Sequence, residues 1–229
     1  MIAHQWRQPL GSISTVTASI KLKQSLKKFD LTSEAGRAEQ NEFLNTAVTK
    51  IENYTQFLTT TIDDFRNFFK PDQHHEQTSL GAIIEKTVNI IGKSLEVHKV
   101  TLEVQNNSQK TFMTYEAKVT QVLINLLKNA QDIITEQKIE NGTIWIKAYD
   151  DGDFFVFEVE DNGGGVPEEI LPKVFDPYFS TKTEKNGTGL GLYMSKTIIE
   201  EHCHGSLTVS NTSRGAKFIA KIRGEHDGN

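Results

Sequence analysis

Cysteine is almost absent from this sequence. Cys203 stands alone among 229 residues, so no internal disulfide can form, and a reducing compartment such as the cytoplasm suits the chain. No run is long and apolar enough to cross a bilayer. The opening Met1-Ile2-Ala3-His4 lacks the charged stretch and apolar run of a signal peptide. No block of Lys or Arg stands out against a net charge of -5, which argues against a nucleic-acid partner. The histidines and the cysteine form no spaced metal-binding cluster, and there is no internal repeat or low-complexity tract. What is present is ordinary for a globular protein: 37% hydrophobic and 24% charged residues, in a length suited to one large domain or two modest ones.

Two patterns meet near Pro71. Before it, Ile2, Trp6, Ile13, Val16 and Ile20 recur at helical steps, and Leu26 and Phe29 extend the stripe. Asp30 to Gly36 reads as a turn, with Thr32 or Ser33 capping the next helix. The series Leu44, Val48, Ile51, Leu58, Ile62, Phe65, Phe69 then steps by about four and three, with Thr55 in the one polar slot. Such a heptad seam wants partner helices. Two readings fit: a four-helix bundle made by a homodimer, or a hairpin folded onto the rest of the chain.

Pro71 is expected to stop the second helix, and Asp72 to Thr78 to be a polar linker. Beyond it, Ser79–Leu95, Val119–Ile134 and Leu190–His202 read as helices. Val100–Val104, Thr143–Tyr149, Phe154–Val159, Ser206–Ser210 and Ala216–Ile222 read as strands, with a hairpin turn at Asp150-Asp151-Gly152-Asp153. The predicted class is α+β: an N-terminal helical hairpin over residues 1–71, then a two-layer α/β sandwich over 72–229 with a mixed, mainly antiparallel sheet.

Four segments of the second region carry chemistry. Asp161-Asn162-Gly163-Gly164-Gly165-Val166 follows a strand. Its carboxylate can accept from an amino group such as that of adenine, and its glycines permit close approach; a plain Gly-rich turn with an Asp cap fits equally. Gly187-Thr188-Gly189-Leu190-Gly191-Leu192 opens a helix and offers amide groups to phosphate; it matches neither the Walker A loop nor the dinucleotide fingerprint. Asn125 and Asn129 fall at i and i+4 on one helix face, where their carbonyls can hold Mg²⁺ or simply form a polar stripe. Phe175 to Lys182, between the two glycine motifs, has the make-up of a lid, with Lys182 within reach of a phosphate.

Taken in this order, the segments from about Thr78 to Arg223 resemble the ATP-binding domain shared by histidine kinases, gyrase, Hsp90 and MutL. The resemblance implies that Asn125 and Asn129 bind Mg²⁺, that Asp161 reads the adenine amino group, and that Gly163 and Gly165 admit the nucleotide. It further implies that Gly187, Gly189 and Gly191 lie on the phosphate side, with Thr188 and Leu190 between them.

The stretch Ile2-Ala3-His4-Gln5-Trp6-Arg7-Gln8-Pro9-Leu10 is similar to the phosphoacceptor box of sensor histidine kinases. On this resemblance His4 takes the γ-phosphoryl group of ATP and passes it to an aspartate of a response-regulator receiver domain. A neutral imidazole is a suitable nucleophile near pH 7. The chain is then expected to be the cytoplasmic portion of a longer sensor, itself making no membrane contact.

Three departures from the family pattern stand out. Gln5 replaces the usual acid and cannot take a proton. Gln8 stands where relatives use Thr or Asn to position a water. Asp132 and Ile133 replace a basic and an aromatic residue, leaving Ile133 to pack on adenine and Lys128 or Lys182 to supplement Mg²⁺. Two rivals stay open. An ATP-hydrolysing clamp would carry a catalytic glutamate where this chain has Gln121. A nucleotide-binding dimeric scaffold would bind without transfer.

Overall fold

The structure, a computed structural model, describes residues 2–68, 74–180 and 189–224, with the backbone alone at residues 2–6, 8, 60, 63–65, 67 and 68. Pro71, Lys182, Gly187 and Thr188 lie outside the described residues, as do the side chains of His4, Gln5, Gln8 and Phe65. The chain divides into two compact units. Among the described residues no helix is long and apolar enough to cross a membrane.

The first unit is a hairpin of α1 (Ile2–Ser25) and α2 (Glu34–Phe68). Pro9 lies inside α1, so the Gln5 carbonyl receives no helical N–H from it. Helix α2 starts at Glu34, inside the expected turn, and Ser33 is its cap: Oγ accepts the Gly36 N–H at 3.0 Å. Gly36 is obligatory there, because a Cβ would stand 2.0 Å from the Asp30 carbonyl oxygen. Phe29 is buried beside Phe43, ring centroids 5.7 Å apart, and the Lys23 ammonium sits 3.8 Å above the Phe43 ring.

The hairpin does not cover its own apolar series. Leu44, Ile51 and Leu58 are half-buried, while Val48 and Ile62, two heptads apart, are 49% and 47% exposed. Among the described residues of α2, Ala47 and Thr61 are buried, each one residue off that exposed line. Leu10 and Leu22 on α1, and Leu26 just after it, are exposed as well.

The second unit is a two-layer sandwich. Its sheet runs β2 (Thr101–Asn106), β4 (Thr143–Asp151), β5 (Phe154–Asp161), β7 (Ala216–Arg223), β6 (Ser206–Asn211). The β2–β4 pair is parallel and the other three pairs are antiparallel. Helices α3 (Leu80–Val97), α4 (Glu116–Glu136) and α5 (Gly191–Thr197) accompany it. Alternation decides which face is covered. Ile144, Ile146, Phe157, Val159, Phe218 and Ile222 are buried, whereas Trp145, Lys147, Glu158 and Lys217 alternate with them on the other face. Against the apolar face α4 sets Val119, Val122, Leu123, Leu126, Leu127 and Ile134, all buried. Full burial of one such side chain contributes about 1.5–3 kcal/mol.

Three expectations are corrected. The polar linker ends early, since Glu76–Thr78 forms β1 and pairs antiparallel with β3 (Phe112–Thr114), two strands too short to show a period. The helix expected over 190–202 is α5 followed by a π-helical turn at Ile198–His202, with the Cys203 N–H bonded to the Ile198 carbonyl at 3.1 Å. Strand β2 starts and ends later than the expected span.

Because Leu127 is fully buried under the middle of α4, Leu127→Ala is expected to cost the second unit about 2–5 kcal/mol. A urea midpoint within error of wild type would show that this side chain is not part of the core.

Candidate functional site

Helix α4 is apolar below and polar above, and the polar side touches both glycine motifs. Asn125 and Asn129 lie half-buried one turn apart on it. The Asn125 amide nitrogen donates to Ser195 Oγ of α5 at 3.0 Å. Gly191, the first residue of α5, is pressed against the same amide: a Cβ there would stand 2.7 Å from both Oδ1 and Nδ2. Two turns further along α4, Ile133 meets the other motif, and a Cβ on Gly163 would stand 2.5 Å from Ile133 Cγ2.

Asp161 ends β5 and is 4% exposed. Its Oδ1 accepts the Gly163 N–H at 2.8 Å. Burial raises its pKa above the ordinary carboxylate value, against the opposing pull of the Gly163 and Ala216 N–H groups. Gly164 and Gly165 take φ of 92° and 83°, a region that side chains rarely enter. Asn211, at the end of β6, clamps the loop from the side. Its Oδ1 accepts the Val166 N–H at 2.8 Å, its Nδ2 donates to the Val166 carbonyl at 2.6 Å, and Oδ1 would lie 2.8 Å from a Cβ on Gly165. Gly215 comes as near to Asp161, with 2.3 Å between a Cβ there and the Asp161 carbonyl oxygen.

The segment between the motifs is tied at its ends. The Tyr178 N–H donates to the Gly189 carbonyl at 2.8 Å, and both residues have positive φ, 68° and 65°. Phe175 meets Phe218 edge to face at 6.3 Å, under the Lys196 ammonium. Among the remaining candidates, Leu190 is buried and Lys128 is exposed. His4, Gln5 and Gln8 fall in the first turns of α1. Ser195, Asn211 and Gly215 escaped sequence reading. Their partners lie 70, 45 and about 54 residues away, and nothing local marks them.

A family model described as histidine kinase-, DNA gyrase B-, and HSP90-like ATPase matches residues 114–226. The sensor protein CitS of Halalkalibacterium halodurans is 32% identical over 88% of this chain and 39% of its own length. The sensor histidine kinase ZraS of Salmonella typhimurium is 30% identical over 95% of this chain and 43% of its own length. A nucleotide-free catalytic domain of histidine kinase ThkA is 30% identical and superposes with a TM-score of 0.57, covering 65% of this chain and 98% of that domain. The chain belongs to the sensor histidine kinase family. A second ThkA structure, in complex with the response regulator TrrA, covers 98% of this chain at a TM-score of 0.66 and 21% identity, a likeness of fold. The chain spans about two fifths of the length of these two curated relatives.

The polar face of α4 is compatible with Mg²⁺. That ion takes oxygen donors, keeps several waters and relies on substrate phosphates more than on protein cages. Asn125, its amide nitrogen engaged by Ser195, has Oδ1 to offer, and Asn129 stands one turn on. Among the described residues no group of three or more His, Cys, Asp or Glu side chains forms a competing metal site.

With the Asp161 pKa raised in the folded state, its ionised carboxylate weighs against folding at neutral pH, and the burden vanishes below the unfolded-state value of about 3.9. Asp161→Asn keeps an acceptor for Gly163. Its thermal midpoint should therefore equal or exceed wild type at pH 7, with the gain fading toward about pH 4. A midpoint clearly below wild type at pH 7 would refute this account of the carboxylate.

Proposed function

We propose that this chain is the catalytic part of a two-component sensor kinase, transferring the γ-phosphoryl group of ATP to His4 and from there to an aspartate of a response-regulator receiver domain. The observation that carries this reading is the convergence on α4. Its Asn125 lies against Gly191, its Ile133 against Gly163, and Gly163 is bonded to the buried Asp161. An adenine-reading carboxylate, a loop that admits backbone-close approach and a metal-suited amide pair thus line one helix.

Asp161 accepts a hydrogen bond from the adenine amino group, Ile133 and the Gly163 loop bound the base, and the sequence Gly187, Thr188, Gly189, Leu190 and Gly191 supplies backbone amides for the phosphates. Asn125 and Asn129 would hold Mg²⁺, which when bound would supply charge neutralisation. The His4 imidazole uses a ring-nitrogen lone pair to bond to the γ-phosphorus. The bond from phosphorus to the bridging oxygen breaks, and its electron pair leaves with ADP. Such a transition state is loose, so alignment and charge placement are the protein's main contributions. Gln5 orients the imidazole through a hydrogen bond but cannot take its proton, so the proton passes to solvent or phosphate. Gln8, four residues after His4, has an amide that can orient a water for dephosphorylation of the partner. Gln121, exposed one turn before Asn125, offers no carboxylate to activate water, which favours transfer over a hydrolytic clamp.

The uncovered Leu10, Leu22, Leu26, Val48 and Ile62 support a homodimer in which two hairpins make a four-helix bundle. The names of the relatives and their greater length support a place in a longer sensor.

Incubation with γ-labelled ATP should give an acid-labile label on wild type and none on His4→Ala, and Gln5→Glu should change the rate roughly threefold or more. Release of free phosphate without labelled protein would replace this reading with the clamp, and neither product would leave a scaffold. In a separate test, Val48→Glu combined with Ile62→Glu should shift the chain toward monomer in sedimentation while leaving nucleotide affinity unchanged. Sedimentation indistinguishable from a wild-type dimer would remove this face from the interface.

A further inference from the structure

Ser195 is polar, 2% exposed, and placed one turn after Gly191 on the same face of α5. The proposed function gives it no task. Among the described residues its Oγ accepts a hydrogen bond from the Asn125 amide nitrogen at 3.0 Å. Gly191, on the same face of α5, lies against that amide at a separation that leaves no space for a methyl group. An asparagine amide presents nitrogen one way and oxygen the other. A fixed acceptor on the nitrogen side therefore fixes where the oxygen points.

We propose that Ser195 is a positioning residue for the metal: by accepting the Asn125 amide N–H, its hydroxyl holds Asn125 Oδ1 toward the divalent cation that accompanies the nucleotide. This rests on the reading of Asn125 as a metal-holding residue. It assigns the serine a function that neither a core filler nor a helix-surface residue would have. Outer partners of metal ligands act in this way, by setting orientation rather than by touching the ion. The contact also makes metal affinity depend on the seating of α5, since Gly191 and Ser195 both belong to that helix and both bear on one amide.

The test uses the full chain and a fluorescent trinitrophenyl-ATP, titrated with Mg²⁺ from a metal-free start. Ser195→Ala removes the acceptor. Ser195→Cys keeps the volume but accepts hydrogen bonds weakly. Both variants should raise the half-saturating Mg²⁺ concentration by roughly tenfold, with nucleotide affinity in the absence of metal unchanged and bound Mn²⁺ weakened in parallel by electron paramagnetic resonance. Unaltered Mg²⁺ curves for both variants would overturn the proposal, as would an equal loss of affinity with and without metal, which marks a packing role. So would a wild-type response for Ser195→Cys beside a lost response for Ser195→Ala, which assigns the effect to volume. If wild type and Asn125→Ala alike show no Mg²⁺ dependence, the metal reading of Asn125 falls first and this inference falls with it.

Discussion

Helix α4 approaches its neighbours so closely at two points that only glycine fits opposite it. A Cβ on Gly163 would lie 2.5 Å from Ile133, and one on Gly191 2.7 Å from the Asn125 amide. Separations below about 3 Å exceed what rotamer adjustment absorbs in a close-packed interior. The helix is held in place from below by Val119, Leu123, Leu126 and Leu127, none more than 1% exposed. The apolar core thus fixes the height of α4 above the sheet, and that height fixes how near the two glycine motifs come to the asparagine face. The glycines permit this approach and the core enforces it, so neither alone places the site.

The same arrangement explains why the site tolerates an unfavourable element. Asp161 is 4% exposed, and burial raises its pKa. A buried carboxylate offset only in part by two backbone N–H groups is a poor choice for stability and a good one for recognising an amino group. The cost is local. Around it, Gly163, Gly164, Gly165 and Gly215 supply close approach or positive φ, and Asn211 replaces the loop's missing secondary structure with two hydrogen bonds to Val166. The clamp reaches across from a different strand, which gives the loop a fixed shape before any ligand arrives.

What could be read in the sequence follows from range. Strands β4, β5 and β7 were legible because eight or nine residues suffice to show alternation, and the β4–β5 hairpin because Gly152, with φ of 62°, sits in its turn. The pair β1–β3 was not, since three residues carry no period and their pairing spans 34 to 38 positions. The π-helical turn after α5 preserves an apolar pattern that reads as plain helix. Within the site, Asn125, Asn129, Asp161 and the glycines announce themselves by local spacing. Ser195 and Asn211 act on partners 70 and 45 residues distant, and a polar residue that satisfies a distant amide looks in sequence like any surface residue.

The two units also differ in how they leave their uncovered surface, and this bears on where partners bind. The open face of the sheet is self-satisfied. Lys217 lies 3.3 Å from Glu158 and 3.6 Å from Glu160, and Arg214 lies over Trp145 at 4.6 Å. Trp145 Nε1 donates to Glu103, and the Tyr149 hydroxyl donates to Glu158, with burial first and that carboxylate second raising its pKa to about 12. Covering such a lattice would desolvate paired charges for little gain. The hairpin presents the reverse: Leu10, Leu22, Leu26, Val48 and Ile62 are exposed, and each apolar side chain removed from water returns about 25 cal/mol per Å². Association is therefore favoured on the helices and disfavoured on the sheet. The unit that carries His4 exposes apolar side chains, and the unit that carries Asp161 presents a sheet face whose charges are already paired.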